Sequence, residues 1–490
     1  MRFSEWLVLA VVVALSCLFR VAGLAADLPF MHHPDEPTNL RVVDSMVANG
    51  DPNPHFFNYP SLFLYLNAAV HLDGPLLGWL PGLGERAPVT ARTGSGAFLT
   101  GVGFAPTTGS VLVHRLLTVV FGVGLVVVGW VAARRISSGI APPALTACLL
   151  AFSPTLVTHS RFVTPDMLAA LLVGVGVLCA LWVFRRGTWT AYVCAGAAIG
   201  LAAGAKYTAV LVAVAVVVAS VLTKRRQVLL RLPVAGVVAG VFFLLSTPYA
   251  LLDSKEFLAD LEFERQHYAT GHDGMEGDTV SYYVDLLVSR EGVLVAAALA
   301  GLLTVALVLR DRWPVAVILL AFPVVYGVSI AMQTVRNDRT AMLLLAPLAV
   351  LPALVVERLK GRVLVTAGAG LAALAVAVAT TWPAPGPTTW RQARDWLDER
   401  PGTTLLVEAY SPYPDPDRHR IIGRTRLIDG TIPPGTDYVV AAETMYGRYL
   451  TGAYPAAEAA YDRLFRQHRE VARFTGNGST IVILDSRSPG

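Results

Sequence analysis

Apolar runs long enough to cross a bilayer recur through most of this chain, and that recurrence limits the fold more than any motif does. They fall near residues 6–26, 110–133, 140–157, 166–184, 189–205, 208–223, 229–249, 291–309, 313–331, 340–356 and 362–381. A hydrocarbon core of about 30 Å is spanned by about 20 residues rising roughly 1.5 Å each, so the runs predict a polytopic all-α membrane protein with about eleven transmembrane helices. The first run lacks a small-residue cleavage pattern and reads as a retained helix rather than a signal peptide.

Basic residues set the expected orientation. With the N-terminus cytoplasmic, every second loop should be rich in Lys and Arg. Arg134-Arg135, Arg185-Arg186, Lys224-Arg225-Arg226, Arg310 with Arg312, and Arg358-Lys360-Arg362 all fall where that rule puts them. The segment 59–80 is apolar enough to span, yet counting it would invert every later loop. It is therefore expected along or partly into the outer leaflet, with Tyr59, Phe63, Tyr65 and Trp79 at headgroup depth, followed by an exposed loop over 81–110.

Only 15% of residues are charged and 54% are hydrophobic, against roughly 25% charged in soluble proteins. The net charge of +4 could suggest nucleic acid, but the basic clusters abut apolar runs and serve topology, so no nucleic-acid partner is expected. Cys17, Cys148, Cys179 and Cys194 all sit inside apolar runs and imply no disulfide framework.

After "TWPAPGPTTW" the pattern changes. Residues 386–490 are expected to form a small extracytoplasmic α/β domain, separate from the membrane domain of 1–385. Its helices are predicted over "WRQARDWLDER" and 456–467, and its strands at "TTLLVEAY", "DYVVAAE" and "TIVILD".

The outer helix ends carry the chemistry. "FMHHPDEPTNL" (30–40) places Asp35 and Glu36 beside two histidines, and "THSRFVTPDM" (158–167), "AKYT" (205–208) and "QTVRNDRT" (333–340) bring further acids and cations to the same depth. Asp35 and Glu36 admit three readings: caps for a helix starting near Pro37, ligands for a metal together with His33, or a general base with a companion carboxylate. Lys206 is one of only four lysines and interrupts an apolar stretch. A cation there costs roughly 2.5–3.5 kcal/mol at mid-membrane and needs a partner, so it is either a snorkelling turn residue or a phosphate ligand.

Taken together, "LFRVAGL" (18–24), "HHPDEPTN", "NYPSLFLYL", "HSRFVTPDMLAALL", "GLAAGAKYTAVLV" and "RNDRTAMLLLAPLAVL" resemble the protein O-mannosyltransferase and lipid A aminoarabinose transferase superfamily, over about residues 1–385. These are C-type glycosyltransferases, with juxtamembrane helices in the first outer loop. The resemblance implies an enzyme that moves one sugar from a polyprenyl-phosphate donor in the bilayer to an extracytoplasmic acceptor hydroxyl at the cell membrane. Asp35 matches the family's candidate base, with Glu36 as companion, and Asp166 matches the acid of the second outer loop. Where the aminoarabinose transferases have an acid-lysine pair before a proline, this chain has Asn58-Tyr59 before Pro60. That departure counts against lipid A as acceptor and leaves the donor phosphate to Arg161, Lys206, Arg336 or Arg339, with His33, Tyr59, His159 and Tyr207 lining the donor or acceptor pocket.

One carboxylate suffices for such a reaction, because the leaving phosphate is already a stable anion that cations can hold. Attack from the opposite face would invert the anomeric centre. Arg20 is either an interfacial anchor or a phosphate contact. No cofactor is required, and a divalent metal stays open. In the C-terminal domain Glu408, Tyr410, Glu443 and Tyr446 lie at strand ends, either as loop residues or as acceptor contacts, and "NGS" (477–479) is a turn or a glycosylation acceptor. The rival readings are a C-type enzyme with another lipid donor, such as an arabinosyltransferase or a glycan ligase, and a transporter; the chain lacks the internal repeats common in transporters.

Overall fold

The computed structural model describes residues 2–28, 31, 33–71, 91–92, 98–99, 107–223, 227–274, 276–384, 386–412, 414–415 and 417–489. In lipid every backbone N–H and C=O must be satisfied internally, so the apolar runs become helices. In chain order the helices are α1 (Phe3–Val21), α2 (Glu36–Asn49), α3 (Leu62–Ala69), α4 (Thr108–Ile136), α5 (Ala141–Ala151), α6 (Pro154–His159), α7 (Asp166–Arg186) and α8 (Trp189–Ala205). A 3-10 turn (Tyr207–Val212) leads into α9 (Ala213–Leu222), followed by α10 (Val228–Ser246), α11 (Tyr249–Leu252), α12 (Ser254–Thr270), α13 (Thr279–Leu307) and α14 (Trp313–Ala331). A second 3-10 turn (Asp338–Ala341) opens α15 (Met342–Val350), and α16 (Ala353–Val356) and α17 (Arg362–Thr381) complete the bundle.

Among the described residues eight helices are long and apolar enough to cross a membrane, and three further apolar helices, Ala141–Ala151, Trp189–Ala205 and Tyr207–Leu222, are shorter. These account for the eleven expected runs. In the first loop Phe63 and Leu64 are fully buried, so one face of α3 packs into the bundle. Trp79 and most of 81–110 lie outside the described residues; Thr107 to Ser110 are buried at the start of α4, where the Thr107 hydroxyl caps the helix by accepting from Ser110 N at 3.1 Å.

Small residues decide how two of the helices meet. Gly196, Gly200 and Gly204 repeat every fourth residue along α8, and a Cβ at Gly196 or Gly200 would stand 2.4 Å from Ala235 O or 2.3 Å from Ala239 O of α10. Backbones approach this closely only where side chains are missing.

The bundle has two chemically different ends. At one, Arg134 lies 3.3 Å from Glu5, and Arg312 joins Glu357 and donates to Ile136 O at 2.8 Å. At the other end stands a five-stranded sheet domain. It comprises α18 (Thr389–Asp398), strands at Thr404–Glu408, Arg420–Thr425 and Tyr438–Ala442, α19 (Glu443–Tyr446), α20 (Pro455–Gln467), and strands at His468–Phe474 and Ile481–Pro489. Numbering the Ala91–Arg92 and Phe98–Leu99 pair β1 and β2 makes these β3 to β7, with order β4-β3-β5-β7-β6. β3 runs parallel to both β4 and β5, and β7 antiparallel to β5 and β6. The expected strands match β3, β5 and β7; β4 and β6 were not anticipated. "NGS" is a turn that pins α18, since Asn477 O accepts from Thr389 N at 2.9 Å and Ser479 O accepts from the Thr389 hydroxyl at 2.7 Å. The domain is fastened to the bundle by the Thr388 hydroxyl on Asp27 (2.8 Å) and by Arg426 (2.8 Å) and the Tyr449 hydroxyl (3.1 Å) on Asp273.

Candidate active site

Four segments far apart in sequence deliver four charges to one point. Asp35 stands before the first turn of α2, but its side chain makes no capping hydrogen bond. The carboxylate turns away from its own helix. Asp35 Oδ2 accepts from the Tyr59 hydroxyl at 2.9 Å and pairs with Arg339 Nη1. Arg339 comes from the 3-10 turn ahead of α15, and its Nε lies 3.9 Å from Asp166 Oδ2. Asp166 occupies the first turn of α7, where the helix dipole favours an acid. Its other oxygen holds Lys206 Nζ at 2.5 Å. Lys206 is the residue at which α8 ends, its extended backbone (φ −154°, ψ 126°) aiming the side chain back at α7. The result is an alternating chain of acid and base, Asp35–Arg339–Asp166–Lys206. The capping reading of Asp35 is thereby excluded, and Lys206 is an ion-pair partner rather than a snorkelling residue.

The two carboxylates are not equivalent. Asp166 is sealed at 2% exposure, whereas Asp35 keeps 23%. Burial would raise the Asp35 pKa, but the Arg339 guanidinium overrides it and holds the carboxyl well below the usual carboxylate range. Tyr268 of α12 lies close enough to feel Lys206 and Arg339, though burial dominates and raises its pKa.

A rim of imidazoles borders the group. His33 Nδ1 accepts from Asp35 N at 3.2 Å, and the His33 ring lies 4.9 Å from Phe162 and 6.4 Å from His159 between centroids. Burial lowers the His33 pKa to about 4, so the ring is neutral near pH 7. His159 Nε2 lies 3.1 Å from Asp338 Oδ1, and Arg290 holds the other oxygen of Asp338 at 2.7 Å.

Several expected site residues are used elsewhere. Glu36 is fully buried and gripped by both edges of Arg115, Nε to Oε1 and Nη2 to Oε2 at 2.8 Å each, while Val163 N donates to it at 3.0 Å. It knots α2, α4 and the loop before α7 together and is no companion to Asp35 in chemistry. Arg161 donates to Phe19 O at 2.7 Å and to Thr381 O at 2.8 Å, tying α1 to α17. Arg336 sits over the Tyr282 ring at 5.5 Å and donates to Glu276 O at 2.5 Å on an exposed surface. Tyr207 donates to Phe57 O at 2.9 Å. Arg20 is fully buried and donates to Ser16, Leu150, Ala151 and Ser160, so it is a packing arginine and neither an anchor nor a phosphate ligand. In the sheet domain Glu408 and Tyr446 are buried, which removes them as acceptor contacts.

Arg115, Arg290 and the intramembrane Glu291 were not anticipated, and Asp338 was noted only as part of "QTVRNDRT". Each lies in or beside an apolar run, and a charge in such a place was the available signal. Glu291 sits at a kink in α13 and accepts from the Ser153 hydroxyl at 2.8 Å and Thr155 N at 2.9 Å, which fixes the start of α6.

His33, Asp35 and Glu36 do not converge as metal ligands, since two different arginines claim the two carboxylates. Among the described residues His55, Asp253 and Glu256 bring ligand atoms within 4.8 Å of one another, at the exposed start of α12.

Residues 96–251 match the family model described as dolichyl-phosphate-mannose-protein mannosyltransferase. A solved structure of ArnT from Cupriavidus metallidurans bound to undecaprenyl phosphate superposes with a TM-score of 0.57 at 15% identity, covering 98% of each chain. This is the fold of the GT-C glycosyltransferase superfamily. A second GT-C structure, the archaeal oligosaccharyltransferase AglB from Archaeoglobus fulgidus in complex with an inhibitory peptide and a dolichol-phosphate, gives a TM-score of 0.56 at 14% identity over 98% of this chain and 74% of its own. No curated protein sequence matches. Within this fold the charged group gathers at helix ends: ahead of α2, at the start of α7, at the end of α8 and ahead of α15.

Proposed function

We propose that the protein transfers a single sugar from a polyprenyl-phosphate donor to a hydroxyl of an extracytoplasmic acceptor, with inversion. The observation that carries this reading is the convergence of Asp35, Arg339, Asp166 and Lys206 at one end of a membrane-embedded GT-C bundle. The lipid phosphates bound in ArnT and AglB supply the analogy for the donor. Basic residues at the opposite end support placing the site, with the sheet domain, outside the cytoplasm.

Roles divide by reach. Asp35 is the accessible carboxylate and takes the proton of the acceptor hydroxyl. Arg339 and Lys206 hold the phosphate, whose charge grows as the C1–O bond breaks. Arg339 offers a planar fork to two phosphate oxygens and Lys206 a point charge. Asp166 is sealed from substrate and acts as a positioning residue for both cations. No metal enters the scheme.

The test is turnover of a polyprenyl-phosphate sugar by the purified protein in nanodiscs. Asp35→Asn lowers kcat by about 10²–10⁴ and leaves thermal stability near that of wild type. The product of wild type carries the opposite anomeric configuration to the donor by NMR. Undiminished turnover in Asp35→Asn removes the base from this reading, and a retained configuration removes inversion.

A further inference from the structure

The site as it stands poses a chemical problem. A general base works best with a pKa near the working pH, yet Asp35 is engaged by an arginine and a tyrosine on the same oxygen. Arg339, which the proposed function assigns to the donor phosphate, is engaged by the two acids. Two carboxylates and two cations cancel, so these four residues hold no spare positive charge for a phosphate. Base and phosphate ligand compete for one guanidinium.

We propose that Arg339 is passed from Asp35 to the donor phosphate, so that donor binding releases the base and proton transfer to the base strengthens the grip on the leaving group. This rests on the reading of the site as a polyprenyl-phosphate sugar transferase. Four features of the geometry support it. Arg339 touches Asp35 through Nη1 and approaches Asp166 only through Nε, at 3.9 Å, so turning about its long side chain can free one end while the other stays near Asp166. Asp166 loses little by this because Lys206 holds its other oxygen at 2.5 Å. Tyr59 donates to Asp35 Oδ2 at 2.9 Å and keeps the carboxylate in place once Arg339 has turned. At 17% exposure Arg339 is within reach of a ligand, unlike Arg20 or Arg115.

The charges balance at each stage. A donor phosphodiester carries one negative charge and takes Arg339 as its counter-ion, which leaves Asp35 ionised and restored toward an ordinary carboxylate. The acceptor O–H proton passes to Asp35 as the acceptor oxygen bonds to the anomeric carbon. The C1–O electron pair goes to the phosphate, which leaves as a monoester of higher negative charge. Asp35 is neutral at the moment the phosphate charge rises, so it no longer competes for Arg339 when the guanidinium is needed most. Loss of the proton to water then draws Arg339 back and expels the lipid phosphate.

Linkage makes this measurable without turnover, because two ligands of one group must weaken each other. Farnesyl phosphate, a soluble polyprenyl monophosphate, is titrated into wild type, Asp35→Asn, Arg339→Gln and the double variant in nanodiscs. Asp35→Asn is expected to bind it at least about fivefold more tightly than wild type, the lower end of typical coupling. In the Arg339→Gln background the same change has no effect. Equal or weaker binding by Asp35→Asn, with wild type binding and Arg339→Gln impaired, overturns the exchange while leaving the proposed function standing. A wild type that does not bind farnesyl phosphate sinks both. Asp35→Ser, interpreted in the same way, gives the answer if Asp35→Asn does not fold.

Discussion

Asp35 and Glu36 are neighbours in sequence with opposite fates. A helix turns about 100° per residue, so two adjacent acids at a helix start face different partners. Asp35 meets Arg339 at the site, and Glu36 meets Arg115 within the bundle. Breaking a buried ion pair strands the remaining charge and costs about 3–5 kcal/mol. Glu36→Gln is accordingly expected to lower the thermal unfolding temperature steeply and to yield little folded protein, whereas Asp35→Asn loses turnover and keeps its fold. Paired unfolding curves separate the two; a Glu36→Gln protein as stable as wild type would contradict the structural role. Sequence showed the pair but not the division, because Arg115 lies 79 residues away inside an apolar run. Lys206 was legible for the converse reason: lysine is so scarce here that a single one in an apolar stretch draws notice.

At the level of elements, the apolar runs predicted the helices well, since length and composition act locally. Strands β4 and β6 escaped because "RIIGRT" is broken by a glycine and "HREVARF" is largely polar, and each becomes a strand only by pairing along an edge of the sheet. The seam of α8 against α10 is another long-range property, visible in sequence only as glycines four apart. Its consequence is local: Gly200→Val forces overpacking and is expected to cost about 1–3 kcal/mol. Because α8 ends at Lys206, a displaced α8 also reduces turnover. Gly236→Ala on α10, where a Cβ meets nothing within 4 Å, is the control and leaves stability unchanged or slightly raised. Thermal unfolding with turnover for both variants tests the seam, and equal behaviour of the two would refute it.

For the molecule as a whole, the sheet domain carries its own response to pH. Burial raises the Glu408 pKa to about 7 despite hydrogen bonds from Tyr461 and Ala442 N, against 4.5 as its ordinary value. Between those two values the unfolded chain releases the proton while the folded domain retains it, so stability falls as pH rises from about 4.5 to about 7, by on the order of 3 kcal/mol. Glu408→Gln should flatten that slope and unfold at a higher temperature than wild type at pH 8; an unchanged slope would show that Glu408 does not titrate there. Orientation is tested on the same domain. Arg466, 82% exposed on α20, is a suitable position for a cysteine, whereas Ser411 is buried with its hydroxyl on Val440 O at 3.2 Å. Arg466→Cys should react with an impermeant thiol reagent in intact cells, and labelling only after lysis would reverse the membrane orientation.

Arg161 bears on how the protein is made. Its Nη2 donates to the end of α1 and the end of α17, at residues 19 and 381, and so joins the earliest and latest helices of the described bundle. Until residue 381 has been synthesised, that half-buried guanidinium lacks one of these two acceptors. Arrival of α17 supplies the second acceptor and ties α1 to the last of these helices before α18 and the sheet domain are made.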